Sequence, residues 1–202
     1  DTIIVPILDT ETKPSGIFVI RLYNFSNGSA DAFRDALREF VLSGNNKLIL
    51  DLRNNPGGYL ESAVDMASWF LPIGEVVARE KFGSGEENVF RSKGYDIFKK
   101  LSMVILVNEG SASASEILAG ALEEHGIAKL VGVKTFGKGS VQELIQITPD
   151  TSLKLTIAKW LTPNGKSLSD SGLEPDTKIE MTKKDIDENK DPQMDKAIEM
   201  LK

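Results

Sequence analysis

The chain has 202 residues, of which 41% are hydrophobic and 27% charged, a composition typical of a soluble globular protein with one domain. Its formal net charge of −6 argues against a general binder of nucleic acid or anionic membranes. It has no cysteine and one histidine, His125, which excludes disulfides, thiol catalysis and any metal site built on cysteines or several histidines. No apolar run approaches the roughly 18 residues of a membrane span, so no transmembrane segment is predicted.

Apolar, β-branched runs alternate with helical patterns along the first three quarters of the chain. In chain order, strands are predicted at 16–25, 47–52, 75–78, 102–107, 129–133, 141–147 and 152–161. Helices are predicted at 29–42, 60–71 and 113–125, with a last helix ending at Leu201. Residues 83–100 are predicted to be mostly loop, and the acidic stretch 185–191 a solvated linker. The alternation favours an α/β layered fold, although the strands after Gly126 depart from a simple doubly wound order.

A run of small residues, GSASASE at 110–116, lies between a predicted buried strand and a helix. The start of a helix presents unpaired N–H groups and positive potential, so a serine there can carry developing negative charge at low cost. Ser113 and Glu116 also match the capping-box pattern, which stabilises a helix start without any further function. On this segment alone, capping is the better interpretation.

A glycine-rich loop places Lys138 between Gly137 and Gly139, and with Gly132 it approximates the phosphate-binding pattern G-x-x-x-x-G-K. Two features reject a nucleotide site. Gly139 stands where a serine or threonine would hold Mg²⁺, and residues 141–147 alternate like a strand, whereas a phosphate loop opens a helix. An exposed lysine is the ordinary outcome for such a loop, but a tight fold would desolvate the ammonium and favour its neutral, basic form.

The segment 52–58, LRNNPGG, follows a predicted strand, where α/β proteins place their binding loops. Consecutive glycines can present N–H groups to an anion, but the segment consists of turn-forming residues, so on its own a plain turn is the better interpretation. His125 lies at the predicted end of a helix, where a partly cationic imidazole is stabilised, so we expect a capping or surface role rather than catalysis.

Six segments share the order and spacing of a known family. They are 51–58 (DLRNNPGG), 110–117 (GSASASEI), 132–142 (GVKTFGKGSVQ), 160–166 (WLTPNGK), 172–176 (GLEPD) and 191–197 (DPQMDKA). With these segments the chain, over nearly its whole length, closely resembles the carboxyl-terminal processing (tail-specific) serine proteases. The resemblance implies one protease core over 1–202, with the α/β spiral fold of ClpP-like and crotonase-like proteins: a mixed β-sheet with packed helices.

The resemblance implies a serine endopeptidase that needs no cofactor or metal and cleaves protein or peptide substrates near their C-termini. By motif match Ser113 is the nucleophile, Lys138 the general base, and Gln142 the residue whose amide orients the lysine. Lys138 must be neutral to accept the serine proton, so we expect a site that is apolar and largely closed to water.

The same match assigns the residues around this pair. The oxyanion hole is expected from the N–H of Ala114 and one glycine N–H, from Gly57 or Gly58, between which the sequence does not choose. Glu116 and Thr135 match positions that support the site.

Family members commonly carry a PDZ domain, which binds the substrate C-terminus, ahead of the protease core. Residues 1–6 (DTIIVP) match the strand expected after such a domain, so 1–15 is expected to be the remnant of that junction and 185–202 a C-terminal linker and helix. The family further implies an extracytoplasmic location, in the periplasm or cell envelope, although this chain carries no export signal. Two alternatives stay open: a non-catalytic peptide- or ligand-binding module on the same scaffold, and a crotonase-like acyl-transfer enzyme, which would not need Lys138.

Overall fold

The computed structural model describes residues 6–98, 101–169 and 172–202, so the strand expected at 1–6 lies, but for Pro6, outside the described residues. The strands are β1 (Leu8–Lys13), β2 (Ile17–Leu22), β3 (Lys47–Asp51), β4 (Val76–Phe82), β5 (Glu87–Arg91), β6 (Ser102–Val107), β7 (Ala128–Gly132), β8 (Ser140–Thr148), β9 (Thr151–Leu161) and β10 (Thr177–Lys178). The helices are α1 (Ser29–Leu42), α2 (Leu60–Ser68), α3 (Ala114–Glu124), α4 (Lys183–Asp187) and α5 (Pro192–Met200).

The described strands form two sheets. The larger has the order β1-β2-β3-β6-β7-β10, in which β1 is antiparallel to β2 and all later neighbours are parallel. The smaller is antiparallel, with the order β5-β4-β9-β8. The strand-rich region after Gly126 departs from a doubly wound order because β8 and β9 belong to the smaller sheet, whereas β7 and β10 belong to the larger one. The predicted mixed sheet with packed helices is confirmed.

Apolar side chains on both faces explain why the central strands are continuous hydrophobic runs. One face of the large sheet, with Leu48 and Leu50 of β3, packs in a core with the apolar sides of α1, α2 and α3. The other face, with Ile49 of the same strand, packs against Met194 and Ala197 of α5. Helix α5 therefore covers the second face of the large sheet. No helix within the described ranges is both long and apolar enough to cross a bilayer.

Several element predictions are wrong in detail. Residues 83–100 were predicted to be mostly loop, but they contain strand β5. The prediction is wrong because the sequence of this strand, ENVFR, is largely polar and has only two apolar residues, both half-buried. Strand β1 was missed for the same reason, as its side chains are largely polar. Helix α4 occupies part of the predicted linker 185–191, where Thr182 and Asp185 form a capping box. Helix α2 ends at Ser68, before the predicted boundary at 71.

Candidate active site

The three segments singled out by the sequence meet at the carboxyl ends of β3, β6 and β7, which are neighbours in the large sheet. The Ser111 hydroxyl donates to Leu52 O at 2.8 Å, and the Ala112 N–H donates to Asn55 O at 3.0 Å. The Phe136 N–H donates to Ser111 O at 3.0 Å. These bonds join all three loops at the edge where α/β sheets bind ligands.

Ser113 lies on the sharp turn between β6 and α3. Its backbone angles, φ 55° and ψ −117°, belong to a region that glycine adopts readily and other residues rarely do. Such a conformation costs about 1–3 kcal/mol and persists only where neighbouring bonds fix it. The Ser113 side chain is half-exposed between buried neighbours, so the turn presents it to solvent.

Glu116 is fully buried and connects two of the loops. Its Oε2 accepts the N–H of Ser113 at 2.9 Å and the N–H of Lys138 at 3.0 Å. Its Oε1 accepts the Thr135 hydroxyl at 2.5 Å and the Gly137 N–H at 2.8 Å. All four partners donate, so both oxygens act as acceptors, and one carboxylate fixes the serine turn against the lysine loop.

Thr135 continues this network to the segment after β9. Its hydroxyl accepts the N–H of Leu173 at 2.7 Å, and its own N–H donates to Leu173 O at 3.1 Å. Gly172 has φ 54°, and a Cβ added there would lie 2.6 Å from Thr135 O. The glycine is needed for this close approach, which explains the motif GLEPD next to the lysine loop.

Lys138 is held through its backbone, while its side chain is exposed. Within the described part of the chain its ammonium has no hydrogen-bond or ion-pair partner. We expected the site around Lys138 to be closed to water, and this expectation is wrong. The lysine is open to solvent because β8, which follows it, is an edge strand with an exposed surface. Gln142 is also exposed, beside a β-bulge at Val141, and is not bonded to Lys138.

The two candidate glycines differ in what their N–H groups do. The Gly57 N–H donates to Asn55 Oδ1 at 2.9 Å, whereas the N–H groups of Gly58 and Ala114 have no partner among the described residues. A Cβ on Gly57 would lie 2.5 Å from Ala112 O and 2.8 Å from Ala114 N. Gly57 thus lets the loop press against the serine turn, and Gly58 keeps a free donor.

Asn55 is a structural residue of the site whose role the sequence analysis did not identify. It is fully buried, its Nδ2 donates to Leu22 O at 2.7 Å, and its own carbonyl accepts the Ser115 hydroxyl at 2.9 Å. The only available signal was its place in a turn-forming segment, where an asparagine is ordinary.

Arg53 joins the same loop to the C-terminal helix. Its guanidinium binds Asp51 and Asp191, both at 2.8 Å. Burial opposes the charge on Arg53, but these carboxylates outweigh it and raise its pKa. Burial likewise opposes ionisation of Asp191, but the bonds from Arg53 and from the Met194 N–H hold its pKa below the ordinary value.

His125 is placed as the sequence predicted, away from this cluster. It caps the end of α3, and its Nε2 lies 2.7 Å from Val76 O. The 11 residues of α3 separate it from Ser113, so the two residues lie about 18 Å apart along the helix axis at a rise of about 1.5 Å per residue. The imidazole therefore cannot contact the Ser113 hydroxyl.

Comparison with known proteins agrees with this arrangement. The model of peptidase family S41 matches residues 16–179. A probable CtpA-like serine protease of Staphylococcus aureus (strain bovine RF122 / ET3-1) is 40% identical over 181 residues, which are 89% of this chain and 36% of that protein. The corresponding protein of Staphylococcus haemolyticus (strain JCSC1435) is 40% identical over 83% of this chain and 34% of its own length. The chain thus spans about a third of the length of the curated relatives it matches.

Solved structures show the same fold. A photosystem II D1 C-terminal processing protease superposes with a TM-score of 0.81 at 27% identity, over 89% of this chain and 50% of its own. The tricorn protease superposes with a TM-score of 0.58 at 20% identity, over 92% of this chain and 17% of its own, a likeness of fold alone. The predicted resemblance to the carboxyl-terminal processing proteases is confirmed, and the chain belongs to peptidase family S41.

Proposed function

We propose that this chain is the catalytic core of a serine endopeptidase that cleaves proteins near their C-termini with Ser113 and Lys138 as a catalytic dyad. One observation carries the proposal: the buried Glu116 carboxylate binds the backbone N–H of both Ser113 and Lys138. The shared oxygen, Oε2, holds the backbone of the serine turn beside the backbone of the lysine loop, so both side chains start from neighbouring positions.

The other candidate bases are poorly suited. His125, the only histidine, lies at the far end of α3. Each oxygen of Glu116 already accepts two hydrogen bonds, and none of them comes from the Ser113 hydroxyl. Lys138 is left as the base, as in other serine–lysine enzymes.

The reaction proceeds in two halves. The neutral Lys138 amine accepts the proton of the Ser113 hydroxyl, and Oγ attacks the peptide carbonyl carbon to give a tetrahedral oxyanion. The intermediate collapses, the C–N bond breaks, and the leaving amine takes its proton from the Lys138 ammonium. Water then gives a proton to Lys138 and adds to the carbonyl carbon of the Ser113 ester. The C–Oγ bond breaks, Oγ takes the proton back from the Lys138 ammonium, and the acid is released.

The oxyanion is bound by the N–H groups of Gly58 and Ala114, and the absence of a partner for either N–H among the described residues supports Gly58 over Gly57. Gly57 instead orders the loop through its bond to Asn55. Loss of one oxyanion donor typically costs about 3 kcal/mol of barrier. The start of α3 adds positive potential at the same point.

The exposure of Lys138 sets a condition on this mechanism. An ammonium in water stays protonated, so the substrate must exclude water from Lys138 when it binds. A binding module or a crotonase-like enzyme would need neither this lysine nor its link to Glu116. These two functions therefore explain the site less well than a protease does. By family resemblance, we place the protein outside the cytoplasm.

Cleavage of a flexible peptide by three variants tests the proposal. Ser113→Ala and Lys138→Ala should abolish turnover and leave the thermal unfolding curve nearly unchanged, since neither side chain is buried. The matched control is Lys134→Ala, on the same loop, whose exposed ammonium lies 3.2 Å from Glu174 and should not affect turnover. Turnover retained in Lys138→Ala would remove the proposed mechanism.

A further inference from the structure

Asn108, directly after β6, bonds with its side chain to two loops at once. Its Oδ1 accepts the Asn54 N–H at 2.8 Å and the Gly110 N–H at 3.0 Å. Its Nδ2 donates to Asn54 Oδ1 at 2.9 Å. Asn54 lies in the segment that leads to Gly58, and Gly110 begins the turn that leads to Ala114. One amide thus joins the two segments that carry the proposed oxyanion donors.

The backbone that Asn108 holds is strained. Asn54 has φ 58°, in the left-handed region that few residues other than glycine adopt. Such a conformation persists only where its neighbours fix it. A Cβ added to Gly110 would lie 2.7 Å from Asn54 Cα, so the two loops touch at a point where only glycine fits. The bonds from Asn108 fix Asn54 at this contact.

Asn108 is itself fixed by the turn that follows it. Its N–H donates to Ser111 Oγ at 3.0 Å, and the Ser111 hydroxyl donates to Leu52 O at 2.8 Å. Asn108 is half-exposed and, together with Asn54, borders an open cavity of about 550 Å³. Truncation of the Asn108 amide therefore enlarges an open cavity and leaves the hydrophobic core intact.

The contact made by Asn108 lies only a few residues from the oxyanion hole. Asn55 accepts the Ala112 N–H at 3.0 Å, and two residues further on a Cβ on Gly57 would lie 2.8 Å from Ala114 N. The N–H groups of Gly58 and Ala114 come from different loops, so their separation depends on how the two loops are aligned. A displacement of about 1 Å in such a site can cost about a hundredfold in rate.

We propose that Asn108 is a positioning residue for the oxyanion hole, because its side chain aligns the loop of Gly58 with the turn of Ala114. The inference rests on the proposed function, since it concerns how that same site is held. Asn108 acts through the two backbones rather than on the substrate itself. None of the six segments that carry the family resemblance contains Asn108, so the motif match gave it no role.

Amide hydrogen exchange tests the alignment without any catalysis. The reporters are the N–H groups of Gly57 and Ser113, each bonded in the wild type and each one residue before a proposed donor. Asn108→Ala should accelerate exchange at both by about tenfold or more, because the two loops lose their common anchor. Asn108→Asp keeps an acceptor for both N–H groups, and the Asn54 amide can turn its NH₂ group towards the second oxygen, so exchange should stay near the wild-type rate. Faster exchange of Asn108→Ala in one loop only, or in neither, would overturn the proposal.

Kinetics with a matched control test the effect on the reaction. Asn108→Ala should lower kcat for a flexible peptide by about tenfold or more and leave KM nearly unchanged, because oxyanion contacts form fully only in the transition state. A peptide aldehyde adds the Ser113 hydroxyl and places an oxygen in the same hole, so its affinity should fall by a similar factor. The control is Ser92→Ala, which removes the two bonds of a buried hydroxyl, to Leu71 O and from the Gly94 N–H. It should lose stability and keep the wild-type kcat.

The possible outcomes separate positioning from other roles. An equal fall of kcat in Asn108→Ala and Ser92→Ala would mean that general destabilisation is responsible, and a change of KM alone would place Asn108 in substrate binding. Either result would overturn the proposal. A wild type that neither cleaves the peptide nor binds the aldehyde would refute the proposed function instead, while the exchange rates still show whether Asn108 aligns the two loops.

Discussion

Glu116 allows the most demanding prediction, because one buried side chain holds two loops. Glutamine has the same shape, but its NH₂ group replaces one oxygen and faces two donors. Two of the four hydrogen bonds of Glu116 are lost, and hydrogen bonds to charged groups contribute about 1.5–3 kcal/mol each. We therefore expect Glu116→Gln to lower the free energy of unfolding by about 3–6 kcal/mol.

Activity should fall more than stability alone explains. A displacement of about 1 Å in the reacting groups can cost a hundredfold in rate, and the amide releases either the serine turn or the lysine loop. The assay is kcat/KM for a flexible peptide, measured well below the unfolding transition of the variant, alongside thermal unfolding. Thr135→Val, which removes one bond to Glu116 and one to Leu173, should have an intermediate effect.

Glu174→Gln is the matched control, because that carboxylate is exposed and its ion pair with Lys134 is worth little. If Glu116→Gln unfolds and cleaves like the wild type, the carboxylate does not hold the two loops and the reasoning fails.

Three other predictions concern the backbone and the C-terminal helix. Ser113→Gly should be more stable than Ser113→Ala by about 1 kcal/mol in denaturant unfolding, because glycine adopts φ 55° without strain; equal stability would mean that the turn is relaxed. Gly57→Ala should reduce kcat/KM by about a hundredfold or more, because the added Cβ would clash with the serine turn. The control is Gly74→Ala, which has a similar positive φ but open space around it and should lose only stability. Equal kinetics of the two variants would contradict a steric role for Gly57. The lowered pKa of Asp191 means that its contribution to stability is complete above the unfolded value near pH 4 and is lost as pH falls through the folded value. The difference in unfolding free energy between wild type and Asp191→Asn should thus shrink towards zero in acid, and a constant difference would show that ionisation of Asp191 is irrelevant.

The sequence predicted the main elements of the fold because their signals are local. The central strands are buried on both faces, so each appears as an uninterrupted apolar run, and α1 carries its apolar residues at helical spacing. Strand β5 was missed because it depends on pairing with β4 and on the contact between Phe90 and Trp160 rather than on its own composition.

The candidate site was predictable in its residues but not in its connections. The motif match supplied Ser113, Glu116 and Lys138, since their spacing is a property of the sequence. Sequence did not show that Gly57 uses its N–H within its own turn, because this depends on the rotamer of Asn55. The exposure of Lys138 is the ordinary outcome for a glycine-rich loop, and it contradicts the closed site expected from the mechanism because β8, which follows the lysine, is an edge strand.

Reaction with a fluorophosphonate, followed by peptide mapping, tests most directly whether an amine activates one serine in this chain. Carried on a short peptide, the reagent covers Lys138 as a substrate does, transfers its phosphonyl group to the attacking oxygen and releases fluoride, so the natural substrate need not be known. The account predicts a single adduct on Ser113, formed about a hundredfold or more slowly in both Lys138→Ala and Lys138→Arg, because a guanidinium stays protonated. An adduct on another residue, or wild-type labelling of Ser113 in either lysine variant, would contradict it.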